Sequence, residues 1–154
     1  MRIAVSACLL GEPCRYDGKA KPSEEVIAFA SDHEVLPICP EVEGGLPTPR
    51  VPSELQTAAA GGCEGRMRVV NREGADVTEA FERGAEATLR AMREFGCEMA
   101  VLKAKSPSCG TGLVYDGSFT GRLVPGWGVA AALIRDAGIP VTDENGCAGH
   151  ARSI

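Results

Sequence analysis

TEAFERGAEATLRAMREFGCEMAVLKAKSPSCG, residues 78–110, sets a helix, a strand and a cysteine-bearing loop in direct succession. Thr78 is an N-cap candidate, and Ala80, Phe81, Ala85, Leu89 and Met92 fall near one face at helical spacing. Gly96 is placed to end the helix. MAVLKA, 99–104, then runs as a strand, and KSPSCG follows at once. A helix feeding a strand in this way belongs to a sheet with helices packed on its faces.

The same alternation continues in both directions. RIAVSA, 2–7, is a short β-type run that ends at Cys8. Ser23 caps a helix, SEEVIAFASDHE, with Glu24 and Glu25 at the positive end of its dipole. VLPIC, 35–39, is a second apolar run ending at a cysteine. The segment 40–66 is too rich in Gly and Pro for regular structure throughout, and RMRVV with the turn NREGAD suggests a small strand or hairpin. GLVYDGSFTGRLV, 112–124, reads as a hairpin with an Asp-Gly turn signal, GVAAALIRDAG, 128–138, as an apolar helix, and IPVTDEN as a fourth strand.

The expected fold is therefore α/β: an open, mainly parallel four-stranded sheet with flanking helices and a small β-hairpin excursion. Residues 1–146 are expected to form one domain, with 147–154 as a C-terminal tail. Ligands of such sheets bind beyond the carboxyl ends of the strands. Cys8 ends the first strand, Cys39 ends the second, and Cys109 lies just past the third. Three cysteines remote in sequence are thus expected on one edge.

Composition narrows the function classes. A net charge of −5 and a sequence pI near 5.1 argue against a nucleic-acid-binding face. MRIAVSACLL is too short for a membrane span and lacks a signal-peptide cleavage pattern, so a cytoplasmic protein with no membrane contact is expected. The 19 glycines and 10 prolines imply long, shaped loops. Cys8, Cys14, Cys39, Cys63, Cys97, Cys109 and Cys147 make an odd set without an export signal, which speaks against a disulfide framework.

Several chemistries fit the expected edge. Structural zinc usually takes ligands in close pairs, and the chain has no C-x2-C or C-x2-H; His33 and His150 read as surface residues. A thioredoxin-like pair lacks its signature for the same reason. An iron–sulfur cluster accepts single thiolates from separate loops, because the cluster itself is the rigid body. Glu41, in CPE, is either a proton donor and acceptor or a solvated loop carboxylate. Ser106 and Ser108 are either turn residues or the cap of a short helix, whose N-terminus would favour thiolate at Cys109. Lys103 and Lys105 are either counter-charges for an anionic group or strand-end cations. GGLPTPR, 44–50, offers a possible anion or carbonyl clamp at Arg50 but matches no nucleotide motif, and Tyr115 and Trp127 are too few for a stacking platform.

Taken in order, SACLLGEPCRYDGK, CPEVEGGLPTPRVPSE, KAKSPSCGTGLVYDGSFTGRLVPGWGVAAALI and VTDEN resemble the thiouracil desulfurase family from about residue 3 to residue 146. That resemblance implies a four-iron, four-sulfur cluster held by Cys8, Cys39 and Cys109 with the fourth iron open. It implies non-redox desulfuration: the thiocarbonyl sulfur of a thiolated pyrimidine binds the open iron, and water replaces it at carbon, releasing sulfide. Glu41 matches the family's acid/base carboxylate and Ser106 its active-site serine. Arg15, Tyr16 and Asp17, with Arg50, either shape the pocket or organise the backbone of their loops, while Cys14 matches no ligand position. The expected partner is a small thiolated nucleobase rather than a nucleic acid. The alternatives are a cluster-bearing sulfur carrier without catalysis and a zinc-stabilised nucleotide-binding protein.

Overall fold

The computed structural model describes residues 1–56 and 68–147; Cys63, His150 and the segment 148–154 lie outside them. Its central strand is β1 (Arg2–Ser6), in which Ile3, Ala4 and Val5 are fully buried. β2 (Glu34–Ile38) and β5 (Met99–Leu102) pair with β1 on either side, and β8 (Val141–Asp143) pairs with β5, every pairing parallel, in the order β2-β1-β5-β8. Strands buried on both faces read as continuous apolar runs, which is the pattern of β1 and β5. Pro37 is tolerated in β2 because β2 is an edge strand.

Alternation along the strands divides the core into two layers. Ile3, Val5, Met99 and Val101 pack with Val26 and Phe29 of α1 (Glu24–Ala30). Ala4, Ala100 and Leu102 pack with Leu89 and Met92 of α3 (Thr78–Phe95) and with Ala131 and Ile134 of α4 (Val129–Asp136). A smaller cluster of Leu55, Val69, Phe81 and Val114 joins α3 to two antiparallel ribbons. These are β3 (Ser53–Gln56) with β4 (Arg68–Asn71), and β6 (Thr111–Tyr115) with β7 (Leu123–Trp127).

Local details depart from the sequence reading. α1 is capped by Ser23, whose side chain accepts from Val26 N, but it ends at Ala30, before the Asp32–His33 turn. In α3, Thr78 is the first helical residue rather than the cap. Asp76 Oδ1 accepts from Thr78 N at 2.9 Å, while Thr78 Oγ1 accepts from Val69 N and ties the helix to β4. Gly96 closes α3 in the left-handed conformation, as expected. The β6–β7 connection is not a two-residue Asp-Gly turn. It runs over 116–122, folded on Asp116 Oδ1 and tied to β3 by Glu54 Oε1, which accepts from Gly117 N and Phe119 N.

Among its described residues, the Gly/Pro-rich segment holds one helical turn, α2 (Pro40–Glu43). It lies against α3 so closely that a Cβ on Gly84 would stand 1.8 Å from Pro40 O, and one on Gly44 2.0 Å from Ala80 O. Both positions require glycine for this backbone contact. The contact places α2, and with it Glu41, over the carboxyl end of the sheet.

Candidate active site

Strand order places the three cysteines. β2, β1 and β5 are neighbours, and the chain leaving each one carries Cys39, Cys8 and Cys109 in turn. Cys8 sits on a 3-10 turn, Ala7–Leu10, closed by left-handed Gly11. Cys39 occupies the N-cap position of α2, with Pro40 at the first helical position. Cys109 ends the turn of SPSC. The edge between β1 and β5 is also where the connections diverge to the two sides of the sheet, the switch point at which such folds form a crevice. Ser6 Oγ bridges it by accepting from Lys103 N at 2.9 Å.

All three cysteines border one cavity of about 470 Å³, together with Cys14, Glu41 and Ser106. Among the described residues, no three His, Cys, Asp or Glu side chains converge on a single metal-ion position. Thiols from three adjacent strand ends suit a larger rigid body that takes one thiolate at each corner.

Cys14, Cys39 and Cys109 favour the protonated thiol. Burial pushes Cys109 up to about 11, against hydrogen bonds from Ser6 and Ser108 that pull it down. Cys14 is lowered by its hydrogen bond to Cys39, but its bond to Cys8 and its burial outweigh this and raise it to about 11. Cys39 is raised further, by the bond to Cys14 and by burial. No helix begins at Ser106, so the expected dipole effect on Cys109 is absent. Instead Ser106 Oγ accepts from Ser108 N and Cys109 N, both at 3.1 Å.

Glu41 is not a solvated loop carboxylate. Its side chain is 15% exposed, Arg50 Nε donates to Oε1 at 2.9 Å, and Ser108 Oγ donates to Oε2 at 2.9 Å. Arg50 is spent on internal contacts rather than on an anion. It also donates to Pro47 O, Thr48 Oγ1 and Cys14 O, and its backbone N donates to Tyr16 O. It thereby fastens the 8–18 loop to the 44–50 loop around Glu41. Asp17 bends its loop by accepting from Lys19 N. Lys103 Nζ is paired with Glu144 Oε2 at 3.0 Å, whereas Lys105 is exposed at the cavity with positive φ.

Of the aromatics considered, Tyr115 borders the cavity, and Trp127 instead lies under Arg135. His33 Nδ1 bonds Phe29 O, and Cys147 is buried in the core with Cys8. Sequence reasoning missed Ser6, Glu54, Arg72 and Phe119 as cavity residues. The β1-β5 juxtaposition points to Ser6, but no linear signal marks the other three.

The fold and the cavity define a doubly covered parallel α/β domain with a thiol-lined site at its switch point. The chain belongs to the 2-thiouracil desulfurase family, whose model matches residues 3–146. It is 40% identical over 144 residues to the uncharacterized protein YbbK of Bacillus subtilis (strain 168), covering 93% of this chain and 95% of that protein. It is also similar to the solved structure of the [4Fe-4S]-dependent thiouracil desulfidase TudS, with 44% identity, a TM-score of 0.86, and coverage of 99% of this chain and 96% of that one. Among the described residues no helix is long and apolar enough to cross a membrane.

Proposed function

We propose that this chain removes sulfur from a thiolated pyrimidine base, giving the oxygenated base and sulfide, with a four-iron, four-sulfur cluster held by Cys8, Cys39 and Cys109. The observation that carries this reading is the meeting of those three thiols in one cavity with a carboxylate anchored at both oxygens. When bound, the cluster supplies a Lewis-acidic iron that takes the soft thiocarbonyl sulfur and weakens its bond to carbon.

The rest of the work falls to the chain. Glu41 takes a proton from the attacking water and returns it to the ring nitrogen or the departing sulfur, so the reaction consumes water and releases sulfide without net electron transfer. Ser106 borders the same cavity with its oxygen fixed by two N–H donors, and its hydroxyl relays a proton toward Glu41 through Ser108. Lys105 offsets negative charge at the rim. The net charge of −5 favours a small base over a nucleic acid as the substrate, in the cytoplasm.

The test is anaerobic purification followed by iron and acid-labile sulfide analysis, with 2- or 4-thiouracil added to the same sample. About four irons per chain, sulfide release and loss of the thione absorbance are expected. Protein that stays colourless and inert after reconstitution with iron and sulfide overturns the reading. Glu41→Gln retains its iron and loses about 10²–10⁴-fold in kcat.

A further inference from the structure

Ser108 carries no role in the family pattern described above, yet it is the serine in contact with Glu41. Its side chain is buried, the residue being 3% exposed. Its Oγ lies 2.9 Å from Glu41 Oε2, 3.0 Å from Ser106 Oγ and 3.7 Å from Cys109 Sγ. A hydroxyl has one proton, and the shortest of these contacts runs to a carboxylate oxygen, an acceptor. The proton of Ser108 therefore goes to Glu41, and Ser106 donates in turn to Ser108 Oγ. Ser106 itself does not reach Glu41; it acts on the carboxylate only through its neighbour.

The backbone that presents this hydroxyl is held from behind. Ala130 N and Ala131 N, in the first turn of α4, both donate to Ser108 O at 3.0 Å, and Val129 N donates to Pro107 O at 2.9 Å. The free N–H groups of a helix start are thus satisfied by the SPSC turn. Gly128 lies flat against it, since a Cβ there would stand 2.5 Å from Ser108 C. Arg50 grips Oε1 from the opposite side with a side chain that is only 6% exposed. The two anchors come from different parts of the chain, and together they fix the plane of the carboxylate.

We infer that Ser108 is a positioning residue for the proposed desulfuration: its hydroxyl is the second anchor of Glu41, opposite Arg50, and links that carboxylate to Ser106. The inference rests on the reading of Glu41 as the acid/base group. With Ser108 removed, the carboxylate keeps Arg50 but turns about that single contact, and a displacement of this kind costs a reaction about 10²-fold or less.

The experiment uses reconstituted holoprotein and the Ser108→Ala, Glu41→Gln and doubly substituted forms. Ser108→Ala is expected to keep the wild-type iron and sulfide content, to lose about 10- to 100-fold in kcat, and to keep KM within about twofold. On the Glu41→Gln background the same change is expected to cost nothing further, because the group it positions is gone. A readout independent of turnover is the infrared difference spectrum of ¹³C-glutamate-labelled protein. The Glu41 carboxylate band, assigned by its loss in Glu41→Gln, shifts in Ser108→Ala. An unshifted band, an unchanged kcat, or a loss that adds fully to that of Glu41→Gln overturns the inference. A wild type that binds its cluster but leaves thiouracil intact overturns the proposed function instead, and the infrared shift then still decides whether Ser108 anchors Glu41.

Discussion

Cys8, Cys39 and Cys109 follow β1, β2 and β5 and border one cavity, whereas Cys147, which follows β8, is buried in the core. Cys14 reaches that cavity by a different route, on a loop fastened by Arg50 to the 44–50 segment. The two kinds of cysteine separate experimentally. Cys39→Ser removes one corner of a three-thiolate site and is expected to lose most of its iron on anaerobic reconstitution, whereas Cys14→Ser is expected to retain it. Iron content per chain is the measurement, and equal retention would remove Cys39 from the ligand set. The thiols were legible in the sequence because strand ends are. The pairing of Glu41 with Ser108 was not, because 67 residues separate them and only the stacking of α2 over the SPSC turn brings them together.

At the scale of elements, α2 and α3 illustrate how a short helix is held in place. Four residues make too few hydrogen bonds to hold a helix alone, and α2 is stable only as packed. Gly84→Ala drives a methyl group into Pro40 O, and we expect a loss of about 1–3 kcal/mol in urea denaturation, with kcat falling because Glu41 moves with α2. Asp76 at the start of α3 gives a pH-dependent prediction. Hydrogen bonds from the Thr78 hydroxyl and backbone N–H, with Arg68 beside it, hold its carboxyl below the ordinary value of about 3.9. The stabilisation is therefore fully present above that value and is lost as pH falls through the lowered one. Asp76→Ala should lower stability at neutral pH, and the gap to the wild type should close in urea titrations below about pH 4. The sequence pointed to Thr78 as the cap. Instead its oxygen accepts from Val69 N of β4 and its hydroxyl donates to Asp76, which takes the N–H at the helix start.

Across the whole molecule, a cluster held by Cys8, Cys39 and Cys109 would add a further link between the segments that follow β1, β2 and β5, beside the Ser6–Lys103 and Ser108–Glu41 hydrogen bonds. A group bound by the folded state and not by the unfolded chain stabilises the fold by mass action. Stripping the iron with a chelator should lower the Tm in anaerobic calorimetry, and reconstitution should restore it; an unchanged Tm would show that the strand ends are held without it. By itself the sequence determined the alternation of strands and helices, the parallel sheet, and the gathering of Cys8, Cys39 and Cys109 at one edge. These follow from period, apolar run length and caps, which are properties of neighbouring residues. Only the tertiary structure decided what surrounds those thiols: Arg50 turned inward on Glu41, Lys103 paired with Glu144, and Ser108 rather than Ser106 in contact with the carboxylate. Each of these is a side-chain contact between distant segments, fixed by how α2, the SPSC turn and the long loops pack over the sheet edge, and linear spacing carries no record of that packing.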